Sequence, residues 1–338
     1  MRPVDLVWNP AERRLRTPVR LLGAVAVAVA LAFAGWLAAA ALPLTLSVPP
    51  QVALLGRSLF DAALVGVVVA VAALALDRRR VPDYGLHLDR DWAVDFAVGL
   101  LLGAALVSLA VAVELAAGWA TVAGTGRVAG PLSLPVAVLA VAGAFLAVGV
   151  GEEVAIRGYL LTNVAEALRP FGTRGAVALA VALSSATFGA LHATNPNATA
   201  VGVAGIGLAG VMLGLGYVLT GDVGLPAGLH VTWNLFLGPV YGLPVSGLDV
   251  GVSLLVVRQS GPPILTGGAF GPEAGLVGVG ASALGSAAVV GYARWRYGAP
   301  ALDAVVIPDL RWRASTGSVE RSADASAERP ADAPDRRV

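Results

Sequence analysis

Glu152 and Glu153 stand side by side in a run of Ala, Val, Leu and Gly, with Arg157 following four residues after the second. At ~3.6 residues per helical turn, Glu153 and Arg157 share a face and can pair, while Glu152 is turned about 100° away and left free. Two later apolar stretches each carry an imidazole with a partner four residues off: Phe188 with His192, and His230 with Asn234. A carboxylate, two imidazoles and an amide suit hydrolysis. The carboxylate can take a proton from water, the imidazoles can bind a metal or hold that water, and the amide can steady an oxyanion. Ionisable groups at membrane depth are costly and are seldom there without a partner or a task.

Each cluster also has a plainer reading. A Glu–Arg pair near a helix end is often an interfacial ion pair, and a lone His in an apolar helix is more often a satisfied core residue. The inventory shifts the balance. The chain has three His, and two of them, His192 and His230, lie in such apolar segments. The third, His87, sits in the polar loop from Pro82 to Asp89 and reads as structural.

The elements that must position these groups follow from composition. The 338 residues are 57% hydrophobic and 13% charged, with a mean hydropathy of +0.77; a soluble domain would carry roughly a quarter charged residues. Apolar runs of about 20 residues, long enough to cross a bilayer, recur along the chain. The fold class expected is an all-α polytopic membrane protein with its active site inside the helix bundle. About eight spans are expected, near 20–46, 52–76, 92–117, 134–156, 175–193, 199–220, 225–241 and 273–294. The first is too long for a signal-peptide core and reads as a retained helix. The absence of cysteine excludes a disulfide framework, a thiolate metal site and a thiol nucleophile. A net charge of +1, with arginines in loops and tails, gives no nucleic-acid footprint.

Arg78 to Arg80 and the Arg169 to Arg174 turn fall on the same side as both termini, which the positive-inside rule makes cytoplasmic in a multi-pass cell-membrane protein. The organisation expected is a cytoplasmic N-terminal segment (1–19), a transmembrane domain (20–296) and a cytoplasmic tail (297–338). The tail is expected to be disordered, since after Arg311 it is rich in Ser, Ala, Asp, Arg and Pro and lacks a periodic apolar pattern. The loop 242–272 is rich in Gly and Pro and holds one short strand, Val252 to Val257. Gly210 and Gly214, with further glycines nearby, mark the sixth span for close helix packing.

Glu152-Glu153-x-x-x-Arg157, Phe188-x-x-x-His192 and His230-x-x-x-Asn234 resemble, in order, the three motifs of the CAAX-processing and bacteriocin-processing (CPBP, or Abi) intramembrane protease family. Gly158-Tyr159-Leu160 and the stretch Leu265 to Glu273 are similar to that family as well, and the resemblance covers about residues 85–290. It implies a hydrolase of the CAAX prenyl protease kind, an intramembrane endopeptidase whose partners are the bilayer and a membrane-associated peptide or protein. Glu152 would activate water with His192 as partner. His230 and Asn234 would line the site and stabilise the oxyanion. Glu153 and Arg157, with Phe188, would support the helix rather than react. Whether zinc is bound, by Glu152, His192 and His230, or a glutamate acts alone is open at this stage; the soluble zinc-protease helix His-Glu-x-x-His is absent.

Depth is the demanding requirement. Folding the chain at Phe171 brings Glu152 and His192 level, but His230 follows closely on the turn at Thr220 to Val223. With ~1.5 Å of rise per residue, that leaves it roughly 15 Å from His192 along the membrane normal. A cytosolic extension of residues 157–174, with Asn195 to Asn197 lining an interior vestibule, would relieve the mismatch. A separation of Glu152 and His230 above ~10 Å would count against a shared site. Two other classes compete: an ion- or proton-coupled transporter using the buried Glu, His and Arg, and a non-catalytic membrane scaffold. The chain shows no internal repeat of the kind common in transporters.

Overall fold

The computed structural model describes residues 7–41, 47–300 and 302–311, without the side chains of 36 and 38–41. Seven of its helices are long and apolar enough to cross a membrane, as the apolar runs require of an all-α polytopic membrane protein. They are α1 (Thr17–Ala41), α2 (Pro50–Val71, continued by a π-helical turn to Asp77), α3 (Arg90–Ala116), α4 (Leu134–Glu153), α6 (Gly172–Leu191), α7 (Ala200–Thr220) and α10 (Leu276–Tyr297). α4 does not stop near 156. It runs through a π-helical stretch, Val154–Leu161, into α5 (Thr162–Ala167), so this span covers 34 residues. At ~1.5 Å per residue that is about 50 Å, well beyond the ~30 Å apolar thickness of a bilayer.

The seventh expected span, 225–241, is corrected. It is α8 (Gly224–Leu235), 12 residues long and extended by a π-helical turn to Val240. Every residue from Gly224 to Asn234 is buried. Buried on every side, the helix is surrounded by protein rather than lipid.

Glycines seat α8 against α3. A Cβ on Gly99 or Gly103 of α3 would collide with the carbonyls of Leu225 and Leu229, and one on Gly224 or Gly228 with those of Trp92 and Phe96. The two backbones touch, and Thr232 Oγ1 donates across to the Leu100 carbonyl at 2.8 Å. This is small-residue packing of the membrane type, and it holds the helix bearing His230 and Asn234. Gly103→Leu is therefore expected to push α8 aside. Stability should fall by about 3 kcal/mol, toward the upper end for overpacking, read as a lower thermal midpoint in detergent.

At one end of the bundle a buried ion network joins four segments. The ribbon of β1 (Trp8–Asn9) and β2 (Arg14–Leu15) lies against the end of the fourth span. Glu166 Oε1 accepts from Arg14 at 2.8 Å and from Arg20 at 2.6 Å, and Glu166 Oε2 accepts from Arg79. Arg20 also pairs with Asp77 at 2.6 Å, and Arg169 donates to Glu12 at 2.8 Å. Burial pushes the Glu12 carboxyl up, but hydrogen bonds from Arg169 and Arg14 outweigh it and hold it below its ordinary 4.5. A carboxylate so depressed stabilises the fold above its ordinary value, and that contribution disappears as pH falls through the lower, folded value. Glu12→Gln is thus expected to flatten the loss of thermal stability between pH 5 and the acid limit, relative to wild type. An unchanged acid limb would refute it.

The short helix α11 (Asp303–Val306) packs on α5 and α6. Leu310 is fully buried and bridges to Arg79. Leu302 to Arg311 is therefore folded onto the bundle rather than part of a loose tail. The disorder expected from 312 onward, and the first six residues of the N-terminal segment, lie outside the described residues. Near the other end, β3 (Ala120–Val128) pairs antiparallel with β4 (Val252–Gln259), with a bulge between Val122 and Gly124. The strand expected at Val252 to Val257 is the core of β4. Its partner β3 carries too many Gly and Thr to show an alternating pattern. The turn α9 (Pro263–Thr266) leads on toward α10.

Candidate active site

Glu152 and Glu153 occupy the last turn of α4, where the helix widens into its π-helical stretch. Such local widening is often found at functional sites. Phe188 lies near the end of α6 and His192 caps it, while His230 and Asn234 lie one turn apart on α8. One cavity of about 350 Å³ is bordered by Glu152, Phe188, His192, His230 and Asn234 among mainly apolar neighbours, with Glu153 behind it.

Glu153 and Arg157 pair as their spacing predicts, and both are fully buried. Arg157 donates to Glu153 Oε1 at 2.7 Å and to the Gly210 carbonyl at 3.1 Å, and its guanidinium lies 4.4 Å over the Phe188 ring. The sequence marks Gly210 as a packing glycine. It is one, with Ser185 Cα 3.1 Å from where its Cβ would be, and the arginine uses its carbonyl as well.

Glu153 has a second partner that spacing along one helix could not reveal. His230 Nδ1 lies 2.9 Å from Glu153 Oε1. A carboxylate accepts, so Nδ1 carries the proton and Nε2 is the nitrogen turned to the cavity. Nε2 is 3.9 Å from Glu152 Oε2. The mismatch in depth is thus resolved, well inside the ~10 Å limit for a shared site. The reason is that α8 starts inside the bundle, and the fourth span runs about 22 Å (~1.5 Å per residue) past Glu152.

Glu152 is the less enclosed of the two glutamates. Its side chain keeps 40% of its surface, whereas that of Glu153 keeps none. Among the described residues Glu152 Oε2 has no hydrogen-bond partner. Glu152 and His192, expected as partners, border the same cavity without a direct hydrogen bond between them. His192 Nδ1 is instead 2.8 Å from the Phe188 carbonyl. The carbonyl must accept, which leaves His192 Nε2 as an acceptor in the neutral ring. Phe188 separates the two imidazoles, its ring centroid 4.9 Å from that of His192 and 5.8 Å from that of His230, edge-on to both. His87, read as structural, faces Asp222 at 2.7 Å and is remote from this cluster in role.

Zinc was an open alternative. Among the described residues, no three His, Cys, Asp or Glu side chains are grouped to hold a metal ion. Glu152, His192 and His230 surround one cavity without forming such a set.

Three further polar residues border the cavity: Asn195, Ser246 and Glu273. Glu273 had a visible signal, a carboxylate in Gly-Pro-Glu at the head of the last apolar run. Ser246 had none, because a loop serine is unremarkable in sequence.

Residues 134–236 match the family model described as Rce1-like, type II CAAX prenyl endopeptidase Rce1-like. The match covers roughly a third of the chain and includes all three motif segments. Over this segment the chain is similar to type II CAAX prenyl endopeptidases, in line with the resemblance carried by the three motifs. Comparisons with curated proteins and with solved structures return no match.

Proposed function

We propose that the protein is an intramembrane endopeptidase that hydrolyses a peptide bond in a membrane-associated substrate by glutamate-activated water. One observation carries the proposal. Glu152 and His230, far apart along the chain, meet with 3.9 Å between carboxylate and imidazole, in a cavity shared with His192 and Asn234. The family match adds weight to it.

In this reading a water molecule sits between Glu152 and His192. Glu152 takes its proton, and His192 Nε2 accepts a hydrogen bond that orients it. The oxygen attacks the carbonyl carbon of the scissile bond. The negative charge that develops on the carbonyl oxygen is held by the Asn234 amide and the His230 ring, whose imidazolium form presents Nε2–H to the cavity. The proton on Glu152 then passes to the amide nitrogen as the carbon–nitrogen bond breaks. Glu153 and Arg157 do not react; they fix His230 and Phe188. The apolar cavity walls suit an apolar segment. A C-terminal C-a-a-X substrate is the class that the family description names, and it is the first to test. The orientation proposed has both termini cytoplasmic, supported by the arginines of the buried network, Arg14, Arg20, Arg79 and Arg169, which gather at one end.

The test uses purified protein in lipid with quenched fluorescent peptides ending in a prenylated or an unprenylated C-a-a-X sequence. Cleavage of either, retained after dialysis against a strong divalent-metal chelator, is expected. Flux of an ion without cleavage would support a transporter instead, and loss of cleavage on chelation, restored by zinc, would overturn the glutamate-only step.

A further inference from the structure

We propose that Glu273 is a positioning residue for substrate: its buried carboxylate clamps the turn Val245–Leu248 to the start of α10 and so sets one wall of the cavity. The inference rests on the endopeptidase reading above and adds to it the part of the chain that receives substrate. None of the catalytic steps uses Glu273, yet it is only 6% exposed and borders the same cavity as Glu152 and His230.

Both of its oxygens are engaged by one residue. The Ser246 backbone N–H donates to Oε2, and the Ser246 hydroxyl donates to Oε1 at 3.1 Å. Ser246 sits at φ +48°, a left-handed conformation that residues with a side chain adopt infrequently. Such a conformation persists where its surroundings over-determine it, and these sites gather at functional centres. The other side of the turn is held too. Asn195 Nδ2, in the loop after α6, donates to the Ser246 carbonyl at 2.9 Å. Asn195, Ser246 and Glu273 thus form one polar strap across three loops, and all three line the cavity.

The backbone is fitted to this strap. Gly247 N–H donates to the Phe270 carbonyl at 2.7 Å. Gly247, at φ +87°, lies under the Pro196 carbonyl, and Gly205 of α7 lies on the carbonyl of Glu273, each with no room for a Cβ. The turn so held presents Val245 and Leu248 to the cavity, and Leu248 remains 45% exposed. An apolar residue flanking the scissile bond would pack here. Ser246 donates to both oxygens of Glu273, whereas Glu152 Oε2 accepts from no group among the described residues. That separates its role from that of Glu152.

Measuring kcat and KM separately, on the fluorescent peptide that wild type cleaves, tests the clamp. Glu273→Ala is expected to raise KM tenfold or more while kcat stays within about threefold. Glu273→Gln can still accept the Ser246 N–H and can donate to the hydroxyl oxygen, so KM should rise only about threefold. Should Glu273→Ala fail to fold, Ser246→Ala and Asn195→Ala each remove one link and should raise KM about three- to fivefold. Their thermal midpoints should stay near wild type, a combination that a merely structural role would not give. A kcat collapse in Glu273→Gln comparable to that in Glu152→Gln would overturn the proposal by making Glu273 catalytic. Unchanged KM in all Glu273, Ser246 and Asn195 variants, alongside cleavage abolished by Glu152→Gln, would overturn the clamp alone. Absence of cleavage by wild type and every variant would overturn the clamp and the endopeptidase reading together.

Discussion

Glu152→Gln is expected to lower the rate of peptide cleavage about 10³-fold, within the range for removing a general base, while the thermal midpoint hardly moves. The amide is close in size to the carboxylate but cannot take a proton from water. Glu152 retains 40% of its side-chain surface and makes no ion pair shorter than 3.9 Å, so little of the fold depends on its charge. Glu153→Gln should do the reverse. It removes the negative charge that faces both Arg157 and His230, and should lower stability as well as rate. If Glu152→Gln cleaved at the wild-type rate and Glu153→Gln did not, the two glutamates would have to exchange roles.

The largest effect on stability is expected at Arg157. Its guanidinium is fully buried, donates to Glu153 and to the Gly210 carbonyl, and covers the Phe188 ring. Breaking a buried pair by removing one partner typically costs about 3–5 kcal/mol, because the remaining charge is left uncompensated. Arg157→Ala should fall in that range, moderated toward its lower end by the His230 hydrogen bond that Glu153 keeps. Activity should be lost with it, since Glu153 and Phe188 are what set the two imidazoles. Arg157→Lys retains charge but lacks the planar fork and the stacking surface, and should recover only part of the stability. A wild-type melting curve for Arg157→Ala would refute the account of this pair as the support of the site.

The match to a known family and the arrangement of the site were legible to different degrees. Glu153 and Arg157 could be paired from their spacing because both lie on one helix, and helical geometry fixes which residues four apart share a face. For the same reason Glu152 could be set apart as the free carboxylate. That His230 also bonds to Glu153 was not legible, because the contact joins helices 77 residues apart in sequence. The seventh expected span shows the same limit. The composition of 225–241 fits a lipid-facing helix as well as a core helix, and only its surroundings in the bundle decide between them.

Composition and apolar periodicity determined by themselves that the chain spans a membrane as a helical bundle, and motif spacing named the residues that gather in one cavity. Both are local properties of covalent order and helical pitch. The tertiary structure alone decided how deep α8 lies, that glycines of α3 and α8 bring two backbones into contact, and that Asn195, Ser246 and Glu273 close one wall. Those outcomes depend on which surfaces meet across long loops, and a carboxylate at the head of an apolar run carries no mark of the partner it will find. Glu152 shows the division. Its type and its place beside Glu153 come from sequence, whereas its 3.9 Å approach to His230 exists only because a short buried helix enters the bundle at that height.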